Sequence, residues 1–168
     1  MKQPMKIPKV LVLMGVTCSG KTELGKILSV RLKVPFFDGD DFHSKDNIHK
    51  MKQGIPLNDG DRQTWLQYIH GLASNHSNKG AIIACSALKE KYRQVIQTSV
   101  NVEFIYLKAD KRVIAQRLAS RKNHFMHNSL IDSQFTALEE PKNGCIVDAT
   151  QSFEINVDLI VSYLQNNL

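Results

Sequence analysis

The chain of 168 residues is 42% hydrophobic and 23% charged, which suits a single domain over residues 1–168 and leaves too little chain for two. The apolar stretch Val10–Met14 is too short for a signal-peptide core or a membrane span, so we expect a soluble, cytoplasmic protein without a membrane partner. The formal charge of +6 would suit nucleic acid, but the basic residues are scattered with no run of five. We therefore expect small anionic ligands and no nucleic-acid partner. Three widely spaced cysteines argue against a disulfide framework or a zinc ribbon and favour a reducing compartment.

Five short apolar runs rich in β-branched and aromatic residues predict strands that are buried on both faces. They cover residues 10–14, 35–37, 81–85, 102–107 and 145–147. Segments with helical spacing of apolar residues lie between them, and a last one, residues 155–164, predicts a helix that closes the fold. The alternation predicts a parallel sheet with right-handed crossovers. Residues 39–62 and 117–134 are polar excursions beyond this pattern, where functional loops concentrate.

A phosphate-binding loop follows the first predicted strand. The eight residues match G-x-x-x-x-G-K-[ST] and open an amphipathic helix: Gly15, Val16, Thr17, Cys18, Ser19, Gly20, Lys21 and Thr22. In this context the backbone N–H groups form an anion site, Lys21 adds a cation for the β- and γ-phosphates, and the Thr22 hydroxyl can ligate Mg²⁺. We therefore predict that the loop binds a nucleoside triphosphate. An incidental glycine turn is the alternative, and dinucleotide binding is disfavoured because Thr17 replaces the middle glycine of G-x-G-x-x-G.

Two acids, Asp38 and Asp40, follow the second predicted strand, whereas the third ends in Cys85 and Ser86 without an acid. The two carboxylates can point the same way if strand geometry continues through Gly39. One carboxylate near Mg²⁺ and one near an acceptor hydroxyl would suit phosphoryl transfer to an alcohol. The alternative is a solvated Asp-Gly turn.

Basic residues are available to balance a triphosphate and a charged acceptor. Arg117 and Arg121 are four residues apart, so on one helix they would share a face and could cover the nucleotide as a lid. Arg62, Lys89 and Arg93 indicate a second anionic site, although exposed arginines on a solvated surface explain such spacing equally well. The histidines show no zinc-binding pattern.

Several longer motifs together resemble one kinase family. They are D-G-D-x-x-H at residues 38–43, K-M-x-x-G-x-P-L-N-D-x-D-R at residues 50–62, C-S-A-L-K-x-x-Y-R at residues 85–93 and R-K-x-H-F at residues 121–125. The chain resembles, over nearly its whole length, the gluconokinases of the thermoresistant bacterial type. These belong to the P-loop kinase group that also includes nucleoside monophosphate kinases and shikimate kinases.

The resemblance implies ATP-dependent phosphorylation of D-gluconate at its C6 hydroxyl, with Mg²⁺, and a homodimer. It also implies an α/β P-loop NTPase fold, a three-layer sandwich with a five-stranded parallel sheet of order 2-3-1-4-5. Residues 39–62 would belong to the acceptor-binding region and residues 121–128 to a lid. The loop residues Gly15 to Thr22 would hold phosphates, with Thr22 on the metal.

The resemblance further assigns roles to individual side chains. Asp38 would organise Mg²⁺ and Asp40 would contact the acceptor hydroxyl as the base, so that Lys21, Asp38, Asp40 and Arg121 form the catalytic set. Arg117 would lie against adenine and Arg121 would meet the phosphates. The candidates for contacts with gluconate are Asp40, His43, Arg62, Lys89, Arg93, His124 and Gln134.

The chain departs from the usual sequence of this family at two positions. Cys18 stands where the family usually has a glycine, and Thr64 replaces a usual proline, which we expect to change only how a helix begins.

Shikimate or another sugar acid is the alternative acceptor, but residues 86–88 lack the shikimate kinase glycine triplet. No N-K-x-D motif indicates a GTP-dependent switch, and no aromatic and basic platform indicates RNA binding.

Overall fold

A computed structural model describes residues 9–122 and 127–167. Its five strands, β1 to β5, form one parallel sheet in the order β2-β3-β1-β4-β5. The strands are Val10–Met14, Phe36–Asp38, Ala81–Ala84, Val102–Lys108 and Cys145–Asp148. The predicted sheet, its parallel pairing and its strand order are therefore confirmed, with strand ends that shift by one residue at most.

Seven α-helices, α1 to α7, lie within the described residues. They are Lys21–Leu32, Lys45–Lys52, Asp59–Asn75, Glu90–Ile96, Lys111–Ser120, Asn128–Ala137 and Phe153–Asn167, and a short 3-10 helix covers Gly39–Phe42. None of the helices in residues 9–122 and 127–167 is long and apolar enough to cross a membrane.

The alternation of side chains along β1 builds two cores, one on each face of the sheet. Val10, Val12 and Met14 pack on one face against α3 and α4, while Leu11 and Leu13 pack on the other against α1 and α7. All five are completely buried because β1 is the central strand and its side chains alternate between two helical layers. This three-layer arrangement brings the carboxyl ends of β1, β2 and β3 together at one edge of the sheet, where sites in such folds form.

A third, smaller core lies over the loop after β1. Val16 and Cys18 of that loop pack against Ile114 and Leu118 of α5 and Ile131 of α6. The helices on either side of the predicted lid are therefore anchored to the loop by apolar contacts. Of the predicted lid, residues 121–128, positions 123–126 lie outside the described residues.

Thr64 does not lie at the start of a helix, where it was expected. The helix α3 begins at Asp59, and Asn58 caps it in a reciprocal capping box with Asp61. Thr64 is therefore in the second turn of the helix and has no part in its initiation. The expectation that this residue changes how the helix begins is wrong because the capping box starts the helix five residues earlier.

Candidate active site

The loop between β1 and α1 has the backbone of an anion cradle. Gly15 and Gly20 adopt positive φ angles of 147° and 97°, and Cys18 adopts a φ of 58° in the left-handed region. Gly20 is the N-cap of α1 and supplies no side-chain hydrogen bond, so the first N–H groups of this 12-residue helix remain available to a ligand. The loop can therefore receive phosphate through backbone N–H groups and the positive end of the helix dipole.

Not every residue of the loop faces the cavity above it. Thr17, Cys18, Gly20, Lys21 and Thr22 line the cavity. The other three predicted loop ligands, Gly15, Val16 and Ser19, are buried. The Cys18 backbone also explains why glycine suits this position, since a left-handed conformation costs a non-glycine residue about 1–2 kcal/mol.

Lys21 places a cation at the floor of the cavity. Its Nζ donates to the carbonyl oxygens of Gly15 at 3.0 Å and Val16 at 2.8 Å, which leaves one of its three N–H groups for a ligand. Burial lowers the pKa of Lys21, and the Asp40 carboxylate is the largest opposing influence. A bound polyphosphate would relieve this penalty by supplying the missing negative charge.

Thr22 and Asp38 form an oxygen pair beside Lys21. The Thr22 hydroxyl donates to Oδ2 of Asp38 at 2.7 Å. A hydroxyl and a carboxylate are hard donors that fit Mg²⁺, which usually takes one or two protein oxygens and completes its shell with water and phosphate oxygens. In the described part of the chain, no group of three or more His, Cys, Asp and Glu residues could hold a metal ion.

The turn after β2 sets the positions of Asp38 and Asp40. The strand ends at Asp38, which caps the 3-10 helix by accepting from the Asp40 N–H at 3.0 Å. The expectation that strand geometry continues through Gly39 is therefore wrong, yet both carboxylates line the cavity. Gly39 is required here because a Cβ would come within 2.5 Å of the Ala84 carbonyl oxygen.

Asp40 is the carboxylate that can act as a base. Its side chain is 82% exposed to the open cavity, but the surrounding cavity walls raise the pKa of Asp40, while Lys21 opposes that increase. A carboxylate with a raised pKa binds a proton more readily while staying reachable from the cavity. Asp40 can therefore accept a proton from a hydroxyl group bound next to it.

The predicted acceptor side of the cavity is formed by α2, α3 and the residues between them. Arg62 lines the cavity, donates to the Leu57 carbonyl oxygen and lies 5.5 Å from the ring centre of Tyr92. Asp61 ties the two helices together, since its carboxylate accepts from Lys50 at 2.8 Å and its carbonyl from the Asn47 side chain at 2.8 Å. This network positions the guanidinium of the next residue, Arg62, at the cavity.

His43 and Trp65 form the wall next to Asp40. Their rings stack with centroids 4.3 Å apart and planes inclined by 14°, and the Trp65 Nε1 donates to the Gly39 carbonyl at 2.7 Å. Burial, with the positive charge of Arg62, lowers the pKa of His43 to about 4, so its imidazole is neutral at physiological pH. Trp65 was not among the predicted site residues, although its position three residues after Arg62 would place both on one face of a helix.

Arg117 and Arg121 do not share a helical face, contrary to the sequence-based prediction. Arg121 is the C-cap of α5 with extended backbone angles, because the helix ends at Ser120. Both arginines still lie beside the loop. Arg117 donates to the Cys18 carbonyl at 3.1 Å and to the Ala149 carbonyl at 2.5 Å, while Arg121 lines the cavity.

Gln134 connects α6 to the phosphate-binding loop. Its Oε1 accepts from the Thr17 N–H at 2.7 Å, and the residue lines the cavity. At the end of the predicted lid, the His127 Nε2 lies 3.1 Å from the Lys52 carbonyl. The hydroxyl of Ser129, in α6, donates to the Gly54 carbonyl at 3.2 Å. Residues 127–134 therefore connect the end of α2 with the phosphate-binding loop.

Two predicted gluconate ligands among the described residues, Lys89 and Arg93, do not line the cavity. Lys89 pairs with Asp59 at 3.3 Å. Arg93 is 3% exposed, and its guanidinium donates to three carbonyl oxygens and the Glu90 carboxylate. It therefore organises the turn that follows β3. His124 lies outside the described residues.

The parts described above enclose one cavity of about 730 Å³. Its volume falls in the range of small-molecule sites. Besides the predicted site residues, its lining includes others that were not predicted as site residues: Glu23, Ile48, Met51, Lys52, Pro56, Leu57, Trp65, Ala84, Ser86, Leu130 and Ser133. The phosphate-binding loop and the predicted acceptor region thus line one cavity, which Asp40 also lines.

Comparison with known proteins places this site within a family. Residues 17–152 match the family model of shikimate kinases. A probable gluconokinase of Dictyostelium discoideum is 39% identical, covering 93% of this chain and 86% of that protein, and the thermoresistant gluconokinase of Escherichia coli strain K12 is 41% identical, covering 89% and 85%. A gluconokinase structure from Sinorhizobium meliloti 1021 superposes with a TM-score of 0.85 at 34% identity, covering 96% of this chain and 94% of that one. The chain therefore belongs to the gluconokinase family, within the wider family that the shikimate kinase model describes.

Proposed function

We propose that this protein transfers the γ-phosphoryl group of ATP to the C6 hydroxyl of D-gluconate, giving 6-phospho-D-gluconate and ADP. The observation that carries the proposal is the single cavity in which the phosphate-binding loop and an acceptor wall bearing Arg62 meet at Asp40. Relatives named as gluconokinases at 39% and 41% identity support the choice of acceptor.

The acceptor wall has the chemistry that a polyhydroxy acid needs. Arg62 supplies a guanidinium for the carboxylate, and the neutral His43 ring with the Asp40 carboxylate supplies partners for hydroxyl groups. A neutral sugar would leave the Arg62 charge without an anionic partner in the cavity, which costs about 1–3 kcal/mol. The site therefore favours an acidic acceptor over a neutral one.

Membership of this kinase family implies ATP together with a divalent metal ion. We propose that the ion is Mg²⁺ and that Thr22 and Asp38 hold it, because their paired oxygens fit its preferences. When bound, Mg²⁺ would neutralise charge on the β- and γ-phosphates.

In the transfer step, the C6 oxygen forms a bond to the γ-phosphorus while the bond from that phosphorus to the bridging oxygen of ADP breaks. Asp40 takes the proton that the hydroxyl loses. Lys21 and Arg121, which both line the cavity, would stabilise the charge that develops on the transferred group. Arg117, fixed between the loop and the Ala149 carbonyl, would flank the adenine base.

Shikimate is a second candidate acceptor because the matching family model carries that name. ADP release should be measured with Mg-ATP and gluconate, shikimate, glucose or glucuronate in parallel, with a control lacking acceptor. Turnover with gluconate alone, and oxidation of the product by 6-phosphogluconate dehydrogenase, is the expected result. Turnover with shikimate and none with gluconate would overturn the proposed acceptor while leaving the kinase chemistry.

Two wider assignments are part of the same proposal. We propose a homodimer, from the family resemblance, which light scattering during gel filtration would test as a mass near twice 19.0 kDa. We also propose a cytoplasmic location, which the three free, buried cysteines suit because a reducing compartment keeps thiols unpaired. Fractionation of the source cells would test it.

A further inference from the structure

The 3-10 helix places His43 directly beside Asp40. Such a helix has three residues per turn, so side chains at positions i and i+3 lie one above the other. The His43 N–H approaches the Asp40 carbonyl at 3.5 Å, and the His43 Nε2 lies 4.0 Å from Oδ1 of Asp40. The spacing of D-x-x-H therefore brings the two side chains together in this turn, whereas in a strand residues three positions apart point to opposite faces.

Trp65 holds the imidazole in this position. The indole stacks on the His43 ring, and its Nε1 is hydrogen-bonded to the carbonyl of Gly39, in the same turn as Asp40. The His43 side chain is only 6% exposed as a result. The ring cannot rotate freely between alternative hydrogen-bond partners, so its nitrogen atoms have fixed surroundings.

The two ring nitrogens have different surroundings. Within residues 9–122 and 127–167, Nδ1 of His43 is buried and has no hydrogen-bond partner. A proton on Nδ1 would leave a buried N–H unpaired, whereas a proton on Nε2 leaves only a lone pair without a partner. The neutral ring therefore carries its proton on Nε2, the nitrogen that faces Asp40.

Nε2 of His43 and the Asp40 carboxylate are close enough for one oxygen atom to bridge them. A separation of 4.0 Å is too long for a direct hydrogen bond, but an oxygen to one side of the line that joins the two atoms can lie about 2.8 Å from each. Such an oxygen would accept from the Nε2–H of His43 and donate its own proton to Asp40. A hydroxyl group satisfies both requirements.

We propose that His43 binds the acceptor hydroxyl that undergoes phosphorylation, donating from Nε2 to its oxygen while the hydroxyl donates to Asp40. This inference rests on the proposed function and assigns a second protein group to the reacting oxygen. The hydroxyl is thereby oriented with its remaining lone pair free to attack the phosphorus, and its proton already lies on the path to Asp40. Asp40 acts as the base and His43 fixes the direction of attack.

Three substitutions at residue 43 separate the Nε2 contact from the packing of the ring. His43→Phe keeps the stack on Trp65 and removes both nitrogens. His43→Gln can place its amide nitrogen near the position of Nε2, whereas the shorter side chain of His43→Asn cannot. We expect kcat/KM for gluconate to fall about 10- to 100-fold in the Phe and Asn variants and less than about fivefold in the Gln variant. The KM for ATP should stay unchanged in all three.

A competitive inhibitor that lacks the reacting hydroxyl isolates the contact itself. In the wild-type protein, 6-deoxygluconate should bind more weakly than gluconate because Nε2 and Asp40 lose their shared partner. In His43→Phe the binding of gluconate should weaken severalfold while that of 6-deoxygluconate changes little, because the inhibitor never used Nε2. Thermal unfolding midpoints of all variants should be compared so that loss of folding is not mistaken for loss of contact.

The possible outcomes separate the inference from the proposed function. Absence of gluconate turnover in the wild-type protein would overturn the function. Normal gluconate turnover, together with His43→Phe kinetics equal to wild type, would overturn the role of His43 alone. Equal weakening of gluconate and 6-deoxygluconate would also overturn it, because His43 would then act through packing and not through the reacting hydroxyl.

Discussion

Replacing Arg93 tests whether this arginine binds substrate, as its sequence position suggested, or organises the protein, as its contacts indicate. Its guanidinium donates to the carbonyl oxygens of Ala87 at 2.8 Å, Leu88 at 3.2 Å and Glu139 at 2.9 Å. In Arg93→Met these three acceptors lose their partner, at about 1 kcal/mol each. The ion pair with Glu90 adds little because that carboxylate is 54% exposed. We therefore expect a loss of about 3 kcal/mol in the free energy of unfolding.

Denaturant unfolding and thermal unfolding together measure this loss. For a chain of this length, about 3 kcal/mol corresponds to a midpoint lower by roughly 6–12 °C. Arg93→Lys should be nearly as unstable, since one ammonium cannot reproduce the fork that reaches all three carbonyls. Lys91→Ala, a change on the protein surface, should cost less than about 1 kcal/mol and serves as the control.

The kinetic result decides between the two roles. If Arg93 organises the turn that follows β3, the folded fraction of Arg93→Lys should keep a gluconate KM within severalfold of wild type. Stability within about 1 kcal/mol of wild type, together with a gluconate KM raised more than tenfold, would refute the structural reasoning and restore Arg93 as a substrate ligand.

Three further changes test other parts of the site. Lys21→Met should lower kcat at least 100-fold because the transferred phosphoryl group loses a cation, and near-normal kcat would contradict this role. Gln134→Leu should raise the KM for ATP about 5- to 30-fold by leaving the Thr17 N–H unpaired. Thr136→Ala, at an exposed position of the same helix that does not line the cavity, serves as the control. Asp61→Asn should have a lower free energy of unfolding than wild type at pH 7. Hydrogen bonding from Lys50 lowers the pKa of Asp61, so the carboxylate stabilises the fold while it is ionised. The difference between the two proteins should therefore shrink as the pH falls below about 4 and the carboxylate is protonated. A stability difference that does not change with pH would contradict this account.

Local patterns were sufficient for the elements that depend on neighbours in the chain. The fully apolar run Val10–Met14 could only be a strand buried on both faces, and its side chains divide between two cores as alternation requires. The loop that follows was equally readable, because Gly15 and Gly20 at their fixed spacing allow the positive φ angles of a phosphate cradle. The strand order came from family resemblance and is confirmed.

Side-chain partners were less predictable because they depend on contacts distant in sequence. Arg62 and Arg93 look alike in the sequence, since each follows an acidic or polar stretch. In the structure Arg62 lines the cavity, whereas the guanidinium of Arg93 donates hydrogen bonds to backbone carbonyl oxygens. Gln134 meets Thr17 across 117 positions of sequence, which no local pattern encodes. Arg121 shares no helical face with Arg117 because α5 ends one residue too early.

The sequence by itself determined the sheet, the phosphate-binding loop and the identity of the acids at the end of β2, because backbone preferences and side-chain periodicity act over a few residues. Only the tertiary structure decided what stands next to Asp40. The stacking of Trp65 on His43 joins a turn to a helix 22 residues later, and burial with the nearby charge of Arg62 lowers the pKa of His43 to about 4. Burial and electrostatic fields are sums over neighbours in space, so they exist only once the chain has folded.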